Sequence, residues 1–432
     1  MTAASQASGR AAPAVLILAD DLSGAADCGI ACVEMGLATT VALRPGLAGP
    51  HTDVLAIDTD TRAMTADAAA ATTERLALSY GRDKDCLVFK KLDSTLRGHL
   101  GPELAALLRA IRRSQSDAAI ILAPAFPALG RTTVDGRQRL HGAPLEQSEI
   151  WRRERLDETA SLPAMLRRHG LPAGLLPLDR VRGRPADLTA AIQDIADHAD
   201  VVVCDAETDA DLLAIASASQ QLRSKVLWAG AAGLARQVVE AAGLAKPKAT
   251  SAVPALEGSA VFVVGSRSGV SKRQAAALAM SDDVVSLETD PTSTLQDLHV
   301  SGVAARLGAA LAAGKDAIIW QPEKSRQIEA GEARSCAGLS ELLAWEQRRI
   351  GALFATGGDT ARCLLSALDV EALELIREIE PGVPLAITTG PRRFPVITKA
   401  GAFGNEATMT RCRSLLRYGT PTPALPASGS EG

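Results

Sequence analysis

Aromatic residues are scarce in this sequence: Phe, Trp and Tyr together make up 3% of it. An excess of charge of either sign is also missing, because 46 basic residues face 50 acidic ones and the net charge is −4. Nucleic-acid-binding proteins need clustered Lys and Arg, and single-strand binders add aromatic rings on which bases stack. We therefore expect no nucleic-acid partner. No apolar run approaches the roughly 18–20 residues that a membrane-spanning helix needs, so we expect no membrane partner and a cytoplasmic location.

Paired cysteines and several familiar motifs are missing as well. The seven cysteines are odd in number and scattered, which favours buried, reduced thiols over a disulfide framework. Without G-x-x-x-x-G-K-[ST] the chain is not a P-loop NTPase, and without G-x-G-x-x-G a Rossmann dehydrogenase is disfavoured. No H-E-x-x-H and no G-x-S-x-G occurs, and Cys28 and Cys32, which are four apart, have no partner pair at zinc-ligand spacing. No residue is therefore predicted to be a dedicated metal ligand.

What the sequence does have is length and apolar residues: 432 residues, 47% of them hydrophobic. A single core rarely grows beyond roughly 250–300 residues, so two domains are expected. Short β-type runs alternate with Ala- and Leu-rich helical stretches, which predicts two α/β domains with mostly parallel sheets. A proline-containing segment with no helical or strand period predicts a linker. The predicted division is an N-terminal domain at 1–245, a linker at 246–258, a C-terminal domain at 259–420 and a flexible tail at 421–432.

Polar residues that directly follow predicted strands are the first candidates for function, because ligands of open parallel sheets bind at the carboxyl ends of strands. Asp20 and Asp21 follow the first strand and precede a Gly-containing turn. Either carboxylate could accept a proton or hold a hydroxylated substrate, or could merely cap the following helix. Arg62 follows another strand and could hold a substrate carboxylate with its fork of N–H groups. The equal alternative is a surface arginine paired with Asp58 or Asp60.

The densest group of polar side chains follows the strand predicted at 86–89. It consists of two lysines, an aspartate, two hydroxyls and an arginine: Lys90, Lys91, Asp93, Ser94, Thr95 and Arg97. Solvated charge runs seldom interleave hydroxyls at the end of a strand, so a binding site is the favoured interpretation. Such a cluster can bind an anionic, polyhydroxylated molecule, and it offers Asp93 as a base.

Turns rich in glycine, serine and threonine follow two strands predicted in the second half of the chain, at 265–269 and 356–360, and a third such segment lies near the C-terminus at 399–404. Glycine lets backbone N–H groups approach phosphate oxygens, and a helix N-terminus adds positive partial charge. One Gly-Gly turn alone would be ordinary, but two such turns at strand ends of one domain predict phosphate binding. The long loop at 124–136 is either functional or a rigid crossover.

Taken as a set, five of these motifs resemble the four-carbon acid sugar kinase family. They lie at 20–25, 90–98, 124–136, 357–360 and 399–404, in the order of the family and over nearly the whole chain. The string Lys-Lys-x-Asp-Ser-Thr-Leu-Arg-Gly at 90–98 is the most specific of them. The resemblance implies a tetronate-binding N-terminal domain, an ATP-binding C-terminal domain and an interdomain active-site cleft. Family members phosphorylate the terminal hydroxyl of D-threonate, D-erythronate or 3-oxo-tetronate.

Carried over residue by residue, the resemblance assigns two sets of contacts. The sugar-acid set is Asp20, Asp21, Arg62, Lys90, Lys91, Asp93, Ser94 and Thr95. The ATP set is Ser266, Ser268, Gly357, Gly358, Asp359, Thr360, Gly401 and Gly404. Ala400 stands where the family tends to have serine, a departure that bears on one hydroxyl contact to the nucleotide.

We therefore expect an ATP-dependent kinase that acts on a four-carbon sugar acid, with D-threonate taken first. In-line phosphoryl transfer needs mainly positioning and charge stabilisation. Asp93 or Asp21 would orient or deprotonate the terminal hydroxyl, and Asp93 is preferred because it lies among cations. A non-catalytic sensor of sugar acid and nucleotide is the alternative, and simple binding would not need these candidate bases.

The cations of the same cluster have complementary expected roles. Arg62 and one of Lys90 or Lys91 would hold the substrate carboxylate, while Arg97 or the other lysine would neutralise charge on the transferred phosphoryl group. Mg²⁺ would be carried mostly by nucleotide phosphates and water, with Asp359 as one contact. A homodimer is expected only because twofold dimers are the commonest oligomers.

Overall fold

The chain divides into two compact units, Met1–Ala249 and Thr250–Gly432. This division falls inside the predicted linker, whose residues 249–255 lie outside the described part of the chain, as does the predicted tail. The computed structural model describes residues 13–44, 52–81, 83–154, 159–223, 225–248, 256–266, 268–290, 292–321, 336–401 and 403–419.

The first unit is built on a parallel sheet with a small antiparallel sheet beside it. Its strands are β1 (Val15–Ala19), β2 (Thr39–Ala42), β3 (Val54–Asp58), β4 (Leu87–Lys91), β5 (Ala119–Ala123), β6 (Arg131–Val134), β7 (Arg137–Leu140), β8 (Ala143–Pro144), β9 (Ala173–Leu176), β10 (Val201–Cys204) and β11 (Val226–Gly230). Its helices are α1 (Leu22–Glu34), α2 (Ala66–Tyr80), α3 (Leu100–Arg112), α4 (Glu149–Glu154), α5 (Leu162–Arg168), α6 (Leu178–Val181), α7 (Pro185–Ala196), α8 (Asp209–Ser219) and α9 (Ala232–Ala241).

The parallel sheet runs in the order β2-β3-β1-β4-β11-β5-β10-β9. Its central strands are continuous apolar runs, and β1, β5 and β11 are buried along their whole length. This is the pattern expected for parallel strands covered on both faces by helices. In register, Ala19 lies opposite Asp58 on one side and Lys91 on the other. The loops that follow β1, β3 and β4 therefore leave the sheet side by side.

The second unit contains a mixed sheet in the order β13-β14-β12-β15-β18-β17-β16, in which β17 is antiparallel to both of its neighbours. Phe262 and Phe354 stack in its core with ring centroids 5.1 Å apart. Its strands are β12 (Ser259–Val264), β13 (Val284–Glu288), β14 (Asp316–Trp320), β15 (Ile350–Thr356), β16 (Ala372–Glu378), β17 (Pro384–Thr389) and β18 (Pro395–Lys399). Its helices are α10 (Gly269–Ala279), α11 (Leu295–Val300), α12 (Val303–Ala312), α13 (Ala337–Glu346), α14 (Gly358–Ala367) and α15 (Thr408–Tyr418).

The expectation that every cysteine is a reduced thiol is wrong for one pair. The structure pairs Cys336 with Cys363 as a disulfide, with their Cα atoms 6.5 Å apart, and the other five cysteines are free and buried. The two are 27 residues apart in sequence and meet because α13 packs against α14, which spacing along the chain does not reveal. Within the described ranges, no helix is both long enough and apolar enough to cross a membrane.

Candidate active site

The two aspartates that follow β1 share a single arginine. Arg62 donates from Nε and Nη2 to the carboxylate of Asp20, at 2.8 and 2.9 Å, and from Nη1 to Oδ2 of Asp21, at 2.7 Å. Asp21 is also the N-cap of α1, where its Oδ1 accepts a hydrogen bond from the N–H of Gly24 at 2.8 Å. Asp21 therefore caps the helix, as one of the two interpretations predicts, and its other oxygen faces the charge cluster. The edge of Arg62 that was expected to hold a substrate carboxylate is occupied by Asp20.

The two lysines at the end of β4 have different surroundings, because successive side chains of a strand point to opposite faces. Lys90 is fully buried, and its Nζ donates to Oε1 of Glu103 at 3.0 Å. The hydroxyls of Thr61 and Thr73 donate to the same oxygen. Its burial and its ion pair with Glu103 hold Lys90 inside the fold and favour a structural role over the substrate contact that the resemblance implies.

Lys91, on the other face, belongs to the acidic cluster. Burial lowers the pKa of Lys91, but Asp27, Asp21 and Asp20 are among the groups that reverse this effect and leave it raised. A Cβ atom on Gly24 would lie 2.7 Å from Oδ1 of Asp21 and 3.1 Å from Nζ of Lys91. A larger residue at this position would press on both groups, so the glycine leaves room for the carboxylate and the ammonium group.

Asp93 is enclosed by the turn that follows β4. Arg97 donates to it from Nε at 2.7 Å and from Nη2 at 3.0 Å, and the hydroxyl of Thr95 donates to its Oδ2. Gly98 has a φ of +90°, and a Cβ there would lie 2.9 Å from Oδ2 of Asp20. This close approach brings the turn against the aspartates that follow β1, so the motifs at 20–25 and 90–98 form one cluster.

The three carboxylates of this cluster differ in basicity. Burial works against ionisation of Asp93, but the charge and hydrogen bonds of Arg97 hold the pKa of Asp93 well below its ordinary value. For Asp20, Arg62 likewise outweighs burial, and the pKa is lowered. For Asp21, burial dominates, and the neighbouring Asp20 and Asp93 help to raise the pKa. Asp21 is therefore the strongest base of the three.

Two residues that sequence reasoning did not single out organise this site. Glu103, in the first turn of α3, is the partner of Lys90. Gln138 of β7 donates from Nε2 to the carbonyl of Ser94 at 3.0 Å and to that of Pro124 at 3.4 Å. The loop at 124–136 is thereby tied to the turn that follows β4, and part of it is the strand β6. An acid near the start of the next helix was a usable signal for Glu103, whereas nothing in the local sequence points to Gln138.

In the second unit, the three glycine-rich segments lie next to each other because β12, β15 and β18 are adjacent strands. A Cβ on Gly265 would collide with Oγ1 of Thr360 and lie 2.8 Å from its Cβ. Gly357, whose φ is +90°, donates its N–H to the carbonyl of Lys399 at 2.9 Å. Of the remaining residues predicted to bind ATP, Gly358 begins α14 and Asp359 is exposed in its first turn. These residues build a cradle of tightly packed backbone at the ends of three strands.

A buried lysine holds the third segment of this cradle. Nζ of Lys399 donates to the carbonyls of Ala400, Gly401 and Phe403 at 3.0–3.1 Å and to Oγ of Ser271 at 3.2 Å. Burial lowers the pKa of Lys399 to about 8. Because its carbonyls converge on one ammonium group, the segment is fixed in a conformation that a side chain on Gly401 or Gly404 would disturb.

Gly401→Ala is expected to weaken ATP binding about 10- to 100-fold. The added Cβ would collide with Oγ of Ser266 and lie 2.8 Å from its Cβ, and overpacking of this kind typically costs about 1–3 kcal/mol. Isothermal titration calorimetry with ATP measures the change. Gly308→Ala in α12 is the matched control, because its Cβ would meet only the movable carboxylate of Glu346 at 3.1 Å. Equal ATP affinity in the two variants would contradict the packing argument.

The comparison with known families gives a separate match for each of the two units. Residues 15–238 match the model of a sugar-binding N-terminal domain, and residues 261–409 match that of a nucleotide-binding C-terminal domain. The cluster of acids and cations lies in the first match, and the glycine-rich cradle lies in the second. The chain belongs to the four-carbon acid sugar kinase family.

Individual relatives are similar over almost their whole length. A D-threonate kinase of Cupriavidus necator is 42% identical, with 91% of this chain and 96% of that protein covered. A D-threonate kinase of Salmonella typhimurium is 30% identical with the same coverage, and a 3-oxo-tetronate kinase of Cupriavidus necator is 30% identical over 91% and 94%. A Haemophilus influenzae protein of known structure shares the fold, with a TM-score of 0.72, 21% identity and coverage of 93% and 100%.

Proposed function

We propose that this protein is an ATP-dependent kinase that phosphorylates the terminal hydroxyl of a four-carbon sugar acid, D-threonate in the first place. The observation that carries the proposal is the cluster of three carboxylates and their cations at the ends of β1 and β4. Such a cluster suits a small, anionic, hydroxylated substrate. The relative at 42% identity, a D-threonate kinase, supports the choice of substrate.

Asp21 is the base in this proposal, and Asp93 is a positioning group. A general base works best when its pKa lies near the working pH, and the pKa of Asp21 is raised by burial. The sequence favours Asp93 as the base because cations surround it. Those cations lower the pKa of Asp93 and so make it a weaker base. Its carboxylate is better suited to fixing Arg97 and the turn that follows β4.

The cations of the cluster have separate roles in this proposal. Arg62 aligns Asp20 and Asp21 by hydrogen bonds to both. Lys91 and Arg97 both interact electrostatically with Asp21 and are the groups that would stabilise negative charge on the transferred phosphoryl group. Positioning and charge stabilisation are what phosphoryl transfer asks of a protein.

The proposed cofactors are ATP and Mg²⁺. Among the described residues, no group of three or more His, Cys, Asp and Glu side chains could hold a metal on its own. Mg²⁺ often keeps several waters and binds through nucleotide phosphates and one or two carboxylates, and the exposed Asp359 beside the glycines of the cradle fits that role. When bound, the ion would offset phosphate charge. A cytoplasmic location, where ATP is available, is part of the same proposal.

A coupled ADP-release assay tests the function. The panel contains D-threonate, D-erythronate, their L-enantiomers and the 3-oxo-tetronates, each with ATP and Mg²⁺. D-threonate is expected to give the highest kcat/KM. A higher value for another acid would change the substrate and keep the reaction. Calorimetric binding of both ATP and a sugar acid without any ADP release would contradict the proposal and identify a sensor.

A further inference from the structure

Arg131 lies in the loop at 124–136, which the sequence left open between a functional loop and a rigid crossover, and it is not among the sugar-acid contacts that the resemblance assigned. It is the first residue of β6, after a tight turn that ends at Gly130 with a φ of +67°. Its backbone exchanges hydrogen bonds with that of Phe126, at 2.8 and 3.1 Å. The hairpin of β6 and β7 is in turn anchored by Gln138 to the carbonyl of Ser94. The backbone of Arg131 is thus held firmly beside the turn that carries Asp93.

The guanidinium of Arg131 interacts with the charges of the cluster, and it pairs with no carboxylate in the part of the chain that the structure describes. Asp93, Arg97 and Asp27 are the charges that act on it, and burial lowers its pKa. Nη1 donates to the carbonyl of Leu129 at 3.2 Å, whereas Nε is buried and has no hydrogen-bond partner among the described residues. A buried N–H group without an acceptor is unfavourable, so this side chain gains from an added anion.

The other arginines of the cluster differ in this respect. Arg62 uses three nitrogens on Asp20 and Asp21, and Arg97 uses its Nε and Nη2 on Asp93. Arg131 forms no ion pair with any residue in the described part of the chain, and its Nε–Nη2 edge is not used by a protein acceptor there. That edge is the one with which arginine grips a carboxylate bidentately.

We propose that Arg131 binds the carboxylate of the sugar acid and sets the preference of the enzyme for acids over uncharged analogues. The inference rests on the proposed function and deepens it, because it moves carboxylate recognition from Arg62, whose fork is occupied, to Arg131. In this proposal the substrate carboxylate supplies the acceptor that Nε of Arg131 lacks among the described residues. Arg131 also belongs to the unit that matches a sugar-binding domain, where the acid rather than the nucleotide is expected.

Arg131→Met tests the assignment with two substrates, D-threonate and its amide, which keeps every hydroxyl and loses the charge. The variant is expected to raise KM for D-threonate about 10- to 100-fold, the range for losing charge-assisted hydrogen bonds, with kcat within about threefold. KM for the amide is expected to stay unchanged. Arg131→Lys keeps the charge without the fork and is expected to recover part of the affinity. Arg137→Met is the matched control, since Arg137 lies on the same hairpin and pairs with Glu146 near the surface.

Other results would overturn the inference. An equal fall of kcat for acid and amide, with KM unchanged, would place Arg131 on the transferred phosphoryl group. Equal increases of KM for both substrates, or a lowered unfolding temperature with no recovery in Arg131→Lys, would make it a structural residue. Calorimetry of D-threonate binding separates this inference from the proposed function: if the wild type binds the acid but does not turn it over, the kinase proposal fails, and the loss of binding in Arg131→Met still tests Arg131.

Discussion

Asp21→Asn is expected to lower kcat for the sugar acid about 10²- to 10⁴-fold, the usual contribution of a general base. Asparagine is as good an N-cap as aspartate, so α1 keeps its first hydrogen bond to the N–H of Gly24. The amide keeps the size of the side chain, but it loses the negative charge and the acceptor oxygen that faces Nη1 of Arg62. The coupled ADP-release assay at saturating ATP and sugar acid measures the loss, and calorimetry shows whether ATP binding is retained.

The pH dependence gives the same prediction a second readout. A base must be deprotonated to act, and burial raises the pKa of Asp21 above its ordinary value of 3.8. Activity should therefore fall as the pH drops through this raised pKa, so the acidic limb of the kcat profile lies above about pH 4. In Asp21→Asn this limb should disappear, because the titrating group is gone.

Asp93→Asn is the comparison that separates the two candidate bases. Its carboxylate holds Arg97, and its pKa lies below the ordinary range, so it stays ionised over the pH range of the assay. The variant should lose activity through misplacement of Arg97 and should keep the acidic limb. If Asp93→Asn removed the limb and Asp21→Asn kept it, Asp93 would be the base and the present assignment would be wrong.

The positions of the residues at the ends of the strands could be predicted from the sequence. A continuous apolar run such as Val15–Ala19 has few alternatives to a buried parallel strand. Because β1 lies between β3 and β4, the residues that follow these strands meet at one edge of the sheet. Asp20, Arg62 and Asp93 were therefore found by position alone, before any contact was known.

The ion-pair partners of these side chains could not be predicted from the sequence, because they depend on tertiary packing. Arg62 could have paired with Asp58 or Asp60, and its fit to Asp20 and Asp21 follows from a loop geometry that no local pattern specifies. The strand was also predicted to end at 89, whereas β4 continues through both lysines. Extending the alternation by two residues would have placed the lysines on opposite faces and predicted different roles for them.

Lys90→Met is expected to lower the free energy of unfolding by about 3–5 kcal/mol, because it leaves the carboxylate of Glu103 buried without its cation. Glu103→Gln should cost a similar amount by leaving the ammonium of Lys90 unpaired, while the glutamine keeps an acceptor oxygen for Thr61 and Thr73. Urea unfolding followed by circular dichroism measures both changes. In conditions where the variants are folded, KM for the sugar acid should stay close to the wild-type value.

The double substitution Lys90→Met with Glu103→Gln decides between a structural pair and a substrate contact. Removing both charges leaves no buried charge without a partner, so most of the stability lost in each single variant should return. The double-mutant cycle should therefore show strong coupling between the two residues. A substrate-binding lysine predicts the opposite: a KM raised 10-fold or more in Lys90→Met, little change in stability, and no rescue by the second substitution. The side chain of Lys90 is 0% exposed and that of Glu103 is 2% exposed, which is why we expect stability to respond and KM to stay.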